Sequence, residues 1–189
     1  MNTEIIVITD RSGSMQSIRD DVIGGYNRFI EEQQKIKGNA RVTYVQFDDQ
    51  YEEVYSGKDI QNVPALTRET FAPRGNTALL DAIGKTLDKQ VFRVLGDKWA
   101  DKVIVVIITD GQENASREYT REKVRQLTRN AEEAGWKFIY QGANQDAFSV
   151  SRDLGIMKGF VNNFVADRAG TQSTYATTSA TVGNLRSSS

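Results

Sequence analysis

Two stretches, VITDRSGSMQS (Val7–Ser17) and VIVVIITDGQEN (Val103–Asn114), decide how this chain of 189 residues is interpreted. In each stretch, a run of β-branched residues ends in Ile-Thr-Asp, at Asp10 and at Asp110. Such unbroken apolar runs predict strands that are buried on both faces, as in a parallel sheet. Ligands of such sheets bind outside the carboxyl ends of the strands. We therefore predict that Asp10 and Asp110 lie at one edge of a single sheet.

The rest of the chain alternates between helix and strand patterns. Apolar residues at helical spacing predict helices over about residues 15–35, 78–94, 117–134 and 146–154. Further strands are predicted over residues 41–47, 51–55, 136–142 and 160–165, with 51–55 as an antiparallel edge strand. This order predicts an α/β fold, doubly wound and Rossmann-like, with a mostly parallel central sheet, one antiparallel edge strand and helices on both faces.

The length suits one domain, which we predict over residues 1–167. Residues 168–189 are rich in serine and threonine, and two interpretations stay open for them, a closing helix and a flexible tail. No apolar stretch approaches the roughly 20 residues of a membrane span. The first residues also lack the basic region of a signal peptide. We therefore expect a cytoplasmic protein without a membrane partner.

Two residue types are missing, because the chain contains no cysteine and no histidine. Disulfides, thiol nucleophiles, His-centred triads and zinc sites built from thiolate or imidazole are therefore excluded. The 24 basic and 25 acidic residues give a net charge of −1, which lends no support to a nucleic-acid partner. A bound metal would be a hard cation with oxygen ligands.

Oxygen-bearing side chains are concentrated at the predicted carboxyl edge of the sheet. Asp10, Ser12 and Ser14 alternate on the loop after the first strand, so their side chains can converge on one point. Thr77 stands at the start of the second long helix, and Asp110 ends the central strand. Two carboxylates and three hydroxyls suit Mg²⁺, with Mn²⁺ or Ca²⁺ as alternatives. Such an electron-poor ion would attract an incoming carboxylate.

Five further side chains flank this predicted site and form its predicted partner-binding rim: Arg11, Arg74, Asn76, Glu113 and Asn114. Simpler interpretations compete, because serine and threonine are favoured helix N-caps and isolated polar residues are common in loops. The adjacent Asp48 and Asp49 are predicted to be hairpin-turn residues only.

The motif DRSGSM (Asp10–Met15) resembles the DxSxS motif of von Willebrand factor A (vWA) domains, called the metal-ion-dependent adhesion site (MIDAS). GNTALLDAI (Gly75–Ile83) resembles the threonine loop of that family, and IITDGQEN (Ile107–Asn114) resembles its TDG strand end. The three motifs occur in family order, and the resemblance covers residues 3 to about 165. It implies the vWA fold and an intact MIDAS that holds Mg²⁺ or Mn²⁺ on Asp10, Ser12, Ser14, Thr77 and Asp110. It also implies that an Asp or Glu of a partner protein completes the coordination.

The function expected from these features is a divalent-cation-dependent protein interaction module without catalysis. Because it lacks a secretion signal, the chain resembles the intracellular bacterial or phage members of the family. By that resemblance, an AAA+ ATPase or a stress or defence assembly is a candidate partner. One alternative is a Mg²⁺-dependent phosphoryl-transfer hydrolase of haloacid-dehalogenase type that uses Asp10, although Ser12 stands where those enzymes carry a second aspartate. The other alternative is a vWA domain of a ribonucleoprotein.

Overall fold

Six strands form one sheet in the order β3-β2-β1-β4-β5-β6 in the computed structural model, which describes residues 1–189. The strands are β1 (Asn2–Asp10), β2 (Asn39–Phe47), β3 (Tyr51–Asp59), β4 (Lys102–Thr109), β5 (Lys137–Gly142) and β6 (Phe160–Asn163). All neighbouring strands are parallel except β2 and β3, which form an antiparallel pair at one edge. The predicted α/β fold class is therefore confirmed.

Helices cover both faces of this sheet. They are α1 (Arg19–Gln34), α2 (Leu79–Asp97), α3 (Arg121–Glu133), α4 (Ala147–Asp153) and α5 (Arg168–Ser187). Alternate residues of β1 serve the two faces, because Ile5 and Val7 pack with α1 and α5 while Ile6 and Ile8 pack with the other three helices. All four side chains are buried, which explains why β1 needs an unbroken apolar run.

Two helices begin later than predicted. A short 3-10 helix (Gly13–Ile18) precedes α1, and α3 begins at Arg121, after a loop that the sequence pattern had assigned to the helix. The carboxylate of Asp81 in α2 accepts hydrogen bonds from the backbone N–H groups of residues 117, 118 and 119 at 2.8–2.9 Å. Because these donors are held against α2, they do not enter the first turn of α3.

The serine- and threonine-rich C-terminal segment forms α5, one of its two predicted alternatives. Tyr175 and Val182 of α5 are buried against α1. Near the end of the helix, the buried Arg186 donates a hydrogen bond of 2.7 Å to the carbonyl oxygen of Gln33. Residues of α5 therefore share the core of the preceding domain. None of the five α-helices combines the length and the apolar composition that crossing a membrane requires.

The register of the strands brings their carboxyl ends to one edge. Thr9 of β1 lies opposite Ile108 of β4, and Asp10 lies opposite Phe47 of β2. Asp10, at the end of β1, and Asp110, directly after β4, therefore lie at the same edge of the sheet, as the sequence predicted.

Two adjacent glycines of α1 have opposite expected responses to alanine. A Cβ on Gly25 would lie 2.5 Å from Cδ2 of Tyr175, so Gly25→Ala should push α5 away and lower the free energy of unfolding by about 1–3 kcal/mol. A Cβ on Gly24 would meet nothing within 4 Å. Gly24→Ala should therefore raise the free energy of unfolding by about 0.5–1 kcal/mol. Urea denaturation measures both values, and equal effects would contradict the packing of α5 on α1.

Candidate metal centre

Three loops at the carboxyl edge of the sheet bring the predicted ligands together. The hydroxyl oxygens of Ser12 and Ser14 lie 3.3 Å apart on the loop after β1. The hydroxyl of Ser14 donates a hydrogen bond of 2.8 Å to Oδ1 of Asp110, which follows β4. Ser14 is exposed, whereas Asp110 and Ser12 are buried. Solvent therefore reaches the cluster from the side of Ser14.

Asp10 is buried at the base of the cluster, where both its carboxylate oxygens accept hydrogen bonds. Oδ1 accepts the backbone N–H of Ser12 at 2.7 Å, and Oδ2 accepts the hydroxyl of Thr109 at 2.7 Å. These two bonds orient the carboxylate and link the loop after β1 to the end of β4. Thr109 therefore helps to orient Asp10, and it is the threonine of the second Ile-Thr-Asp repeat in the sequence.

Thr77 approaches from the loop before α2. Its backbone N–H donates to Oδ1 of Asn114 at 2.8 Å, and the backbone N–H of Asn114 donates to the carbonyl oxygen of Thr77 at 2.9 Å. A Cβ on Gly111 would lie 3.7 Å from Oγ1 of Thr77, so this hydroxyl lies beside the residue after Asp110. All five predicted ligands therefore gather at one edge.

The two carboxylates of the cluster lie close together without an ion-pair partner. Burial raises the pKa of Asp10, and burial together with the nearby charge of Asp10 raises the pKa of Asp110 to about 6. Neither aspartate forms a salt bridge, whereas the buried carboxylates of Glu4 and Asp48 each have arginine partners. Buried unpaired charges are costly, so a cation bound here would be stabilised electrostatically.

The donor set fits a hard divalent cation. It contains only carboxylate and hydroxyl oxygens, the ligands of Mg²⁺ and Mn²⁺. Nowhere does the structure bring together three or more His, Cys, Asp or Glu side chains that could hold a metal. A cation at this site would therefore depend on hydroxyl oxygens and water molecules, which Mg²⁺ commonly retains.

Arg11 was predicted as a rim residue, but its side chain does not project onto the rim. Its side chain is turned away from the cluster, and the residue is only 7% exposed. Its Nε donates to Oδ2 of Asp48 at 3.1 Å, and its guanidinium also pairs with Glu52. The reason is that the end of β2 supplies a buried counter-charge, which no local sequence pattern around Arg11 reveals.

The other four rim residues divide into two groups. Glu113 and Asn114 hold loops together, because Glu113 accepts the backbone N–H of Leu80 at 2.9 Å and Asn114 pairs with the backbone of Thr77. Arg74 and Asn76 stay exposed beside the cluster, and the side chain of Arg74 is 61% accessible. A partner-binding role for any of these residues remains a prediction.

Two residues outside the predicted ligands and rim also shape this edge. Asn144 adopts a left-handed backbone conformation (φ 58°), and its Nδ2 donates to the carbonyl oxygen of Asp110 at 2.9 Å. Asp48, predicted only as a turn residue, is 2% exposed and binds two arginines. The position of both residues at strand ends was their only sequence signal.

Comparisons with known proteins agree with this architecture. The family model for the von Willebrand factor type A domain matches residues 4–180. A search of curated protein sequences gives no significant match.

Solved structures similar to this chain include the PilB minor pilin from Streptococcus sanguinis (14% identity, TM-score 0.75, covering 100% of this chain and 64% of the pilin). Proximal thread matrix protein 1 from the mussel byssus, with a zinc-occupied MIDAS motif, is 15% identical (TM-score 0.67, covering 96% of this chain and 46% of that one). Manganese-loaded TRAP from Plasmodium vivax is 18% identical (TM-score 0.59, covering 91% of this chain and 71% of that one). This chain spans less than two thirds of the first two proteins. At these identities the likeness shows a shared fold.

The raised pKa of Asp110 predicts a pH-dependent stability for the metal-free protein. The folded state holds the Asp110 proton more tightly than the unfolded chain, since its pKa rises from 3.8 to about 6. The stabilisation by this proton is complete below about pH 4 and is lost as the pH rises through about 6. The free energy of unfolding of EDTA-treated wild type, relative to Asp110→Asn, should fall by on the order of 2 kcal/mol from pH 4 to 7. Urea denaturation across this range measures it, and a constant difference contradicts it.

Proposed function

The chain belongs to the von Willebrand factor type A domain family, and we propose that it is a divalent-cation-dependent protein interaction module. In this proposal, a metal held in an intact MIDAS binds an acidic side chain of a partner protein. One observation carries the proposal: Asp10 and Asp110 are buried together without a basic partner, at an edge where two loops also bring the hydroxyl groups of Ser12, Ser14 and Thr77. A divalent cation supplies the missing positive charge.

The ligands proposed for this cation are Asp10, Ser12, Ser14, Thr77 and Asp110. Mg²⁺ is the proposed ion, with Mn²⁺ or Ca²⁺ as alternatives, because all five side chains offer oxygen. When bound, the ion supplies a positive charge that attracts a carboxylate. Ser14 is the exposed member of the set, so a partner would approach from its side. Arg74 and Asn76 are the accessible rim residues that such a partner would meet first.

The space beside the rim supports a protein partner. A polar cavity of about 510 Å³ adjoins Asn76 and Asn114 and lies between the β2–β3 turn, α2 and the loop before α3. Charged side chains of both signs line it, including Asp49, Lys85 and Arg117. Residues flanking a metal-bound Asp or Glu would have room for polar contacts there.

The names of similar proteins support the proposal of a bound metal, but they do not decide where in or outside the cell this chain acts. One mussel byssus structure is described with a zinc-occupied MIDAS motif, and the Plasmodium vivax structure is described as manganese-loaded. By its name, the Streptococcus sanguinis protein is a minor pilin. A cytoplasmic location, a bacterial or phage origin and an AAA+ ATPase or stress-assembly partner therefore stay predictions for this chain.

We propose that the module acts without catalysis. A phosphoryl-transfer enzyme would need an accessible nucleophilic oxygen on Asp10, yet this side chain is buried and both its oxygens accept hydrogen bonds. Ser12 also replaces the second aspartate expected of such enzymes. The charge gives no support to a ribonucleoprotein role, because the chain has no surplus of basic residues and its net charge is −1.

Replacing Asp10 tests the proposed metal. Asp10→Asn keeps the shape of the side chain and removes its charge, so we expect Mg²⁺ affinity to fall at least about tenfold. Calorimetric titration of EDTA-stripped protein measures the affinity. Asp20→Asn is the matched control, because Asp20 is an exposed acid paired with Arg68 and should leave the affinity unchanged.

The same titration is repeated with excess acetate, because an open site can require an external carboxylate to retain its ion. Single-site binding that is strengthened by acetate and lost in Asp10→Asn supports the proposal. No binding of Mg²⁺ or Mn²⁺ by the wild type, with or without acetate, contradicts it.

A further inference from the structure

Asp48 occupies a position from which it contacts two ligand-bearing loops. It follows Phe47, the last residue of β2, which lies opposite Asp10 in the sheet. Its Oδ2 accepts hydrogen bonds from Nε of Arg11 at 3.1 Å and from Nε of Arg74 at 2.9 Å. Its Oδ1 accepts the backbone N–H of Gln50 at 2.6 Å, which orients the carboxylate. One buried carboxylate oxygen thus joins two arginines.

The two arginines belong to different ligand loops. Arg11 lies between Asp10 and Ser12, and Arg74 lies three residues before Thr77. The backbone N–H of Arg74 also donates to the carbonyl oxygen of Arg11 at 2.8 Å. The loops therefore touch at the point where Asp48 holds both side chains.

Two further backbone bonds continue this contact towards the proposed ligands. The N–H of Gly13 donates to the carbonyl oxygen of Gly75 at 3.0 Å, and the N–H of Ala78 donates to the carbonyl oxygen of Asp48 at 3.0 Å. Gly13 lies between two proposed ligands, and Ala78 follows a third. Asp48 and these backbone hydrogen bonds together fix the separation of the two loops.

We propose that Asp48 is a positioning residue for the metal centre, acting through the loop clamp that it forms with Arg11 and Arg74. The clamp holds the loop of Asp10, Ser12 and Ser14 at a defined distance from the loop of Thr77. The physical reason is charge, because two guanidinium groups at one oxygen repel each other unless a carboxylate lies between them. The clamp itself does not depend on the proposed function. Only its expected effect on metal affinity rests on that proposal.

The test variant is Asp48→Asn, which keeps the side-chain volume and removes the charge. Arg11 would then retain Glu52, whose side chain is 53% exposed, so the fold has a remaining counter-charge. The matched control is Glu4→Gln at the opposite end of the sheet. Glu4 is also buried between two arginines, with Arg93 at 2.8 Å and Arg41 at 4.0 Å. Both variants lose one buried charge, so their thermal stabilities should fall by similar amounts.

The first readout is hydrogen exchange of the EDTA-treated protein, which needs no metal. Asp48→Asn should accelerate amide exchange in residues 10–14 and 74–78, whereas Glu4→Gln should leave these two loops as protected as in the wild type. Unchanged exchange in Asp48→Asn, or equal acceleration in both variants, overturns the clamp. If Asp48→Asn does not fold, Arg74→Met takes its place, since it keeps the pair of Asp48 with Arg11. Exchange in residues 74–78 must then rise.

The second readout is the titration with Mg²⁺ and Mn²⁺. Removing a side chain that orients metal ligands typically costs 10–100-fold in affinity, and we expect a loss of about that size for Asp48→Asn. Glu4→Gln should bind as the wild type does. Wild-type affinity in a folded Asp48→Asn overturns the positioning role. If the wild type itself binds no cation, the proposed function fails, and the exchange data alone decide whether the clamp exists.

Discussion

The carboxylates of Asp10 and Asp110 are buried side by side and neither forms a salt bridge, and this constraint shapes the loops at the carboxyl edge of the sheet. Parallel pairing of β1 with β4 makes the proximity unavoidable, because Thr9 lies opposite Ile108, β1 ends at Asp10 and Asp110 directly follows the last residue of β4. Burial raises the pKa of both groups. A proton or a cation relieves the repulsion between them, and the surrounding hydroxyl groups favour a cation.

The loops that carry these residues are held by polar contacts rather than by an apolar core of their own. Asp81 binds three backbone N–H groups of the loop before α3, and Glu113 binds the first turn of α2. Asn114 exchanges hydrogen bonds with Thr77, and Asp48 binds two arginines. Loops cannot bury unsatisfied backbone groups, so acidic and amide side chains satisfy them and fix the loops in the same contacts.

Family membership and function are separate conclusions for this molecule. The vWA family model gives the family, and the solved structures agree with the fold. In the function that we propose, the partner would be selected by side chains outside that common frame, such as the exposed Arg74 and Asn76 and the polar cavity that adjoins Asn76. A shared fold supports many partners, because recognition depends on such residues rather than on the sheet.

The sequence by itself determined the sheet, the fold class and the candidate ligands. β-Branched runs mark buried strands, and the ligand pattern is local, since three of the five residues lie within Asp10–Ser14. Only the tertiary structure decided that Arg11 is buried, that α3 begins after Tyr119 and that the C-terminal segment is a packed helix. Each of these depends on a partner distant in sequence: Asp48 for Arg11, Asp81 for the loop before α3, and α1 for α5. Such contacts have no periodicity along the chain, so they become visible only when the fold brings the partners together.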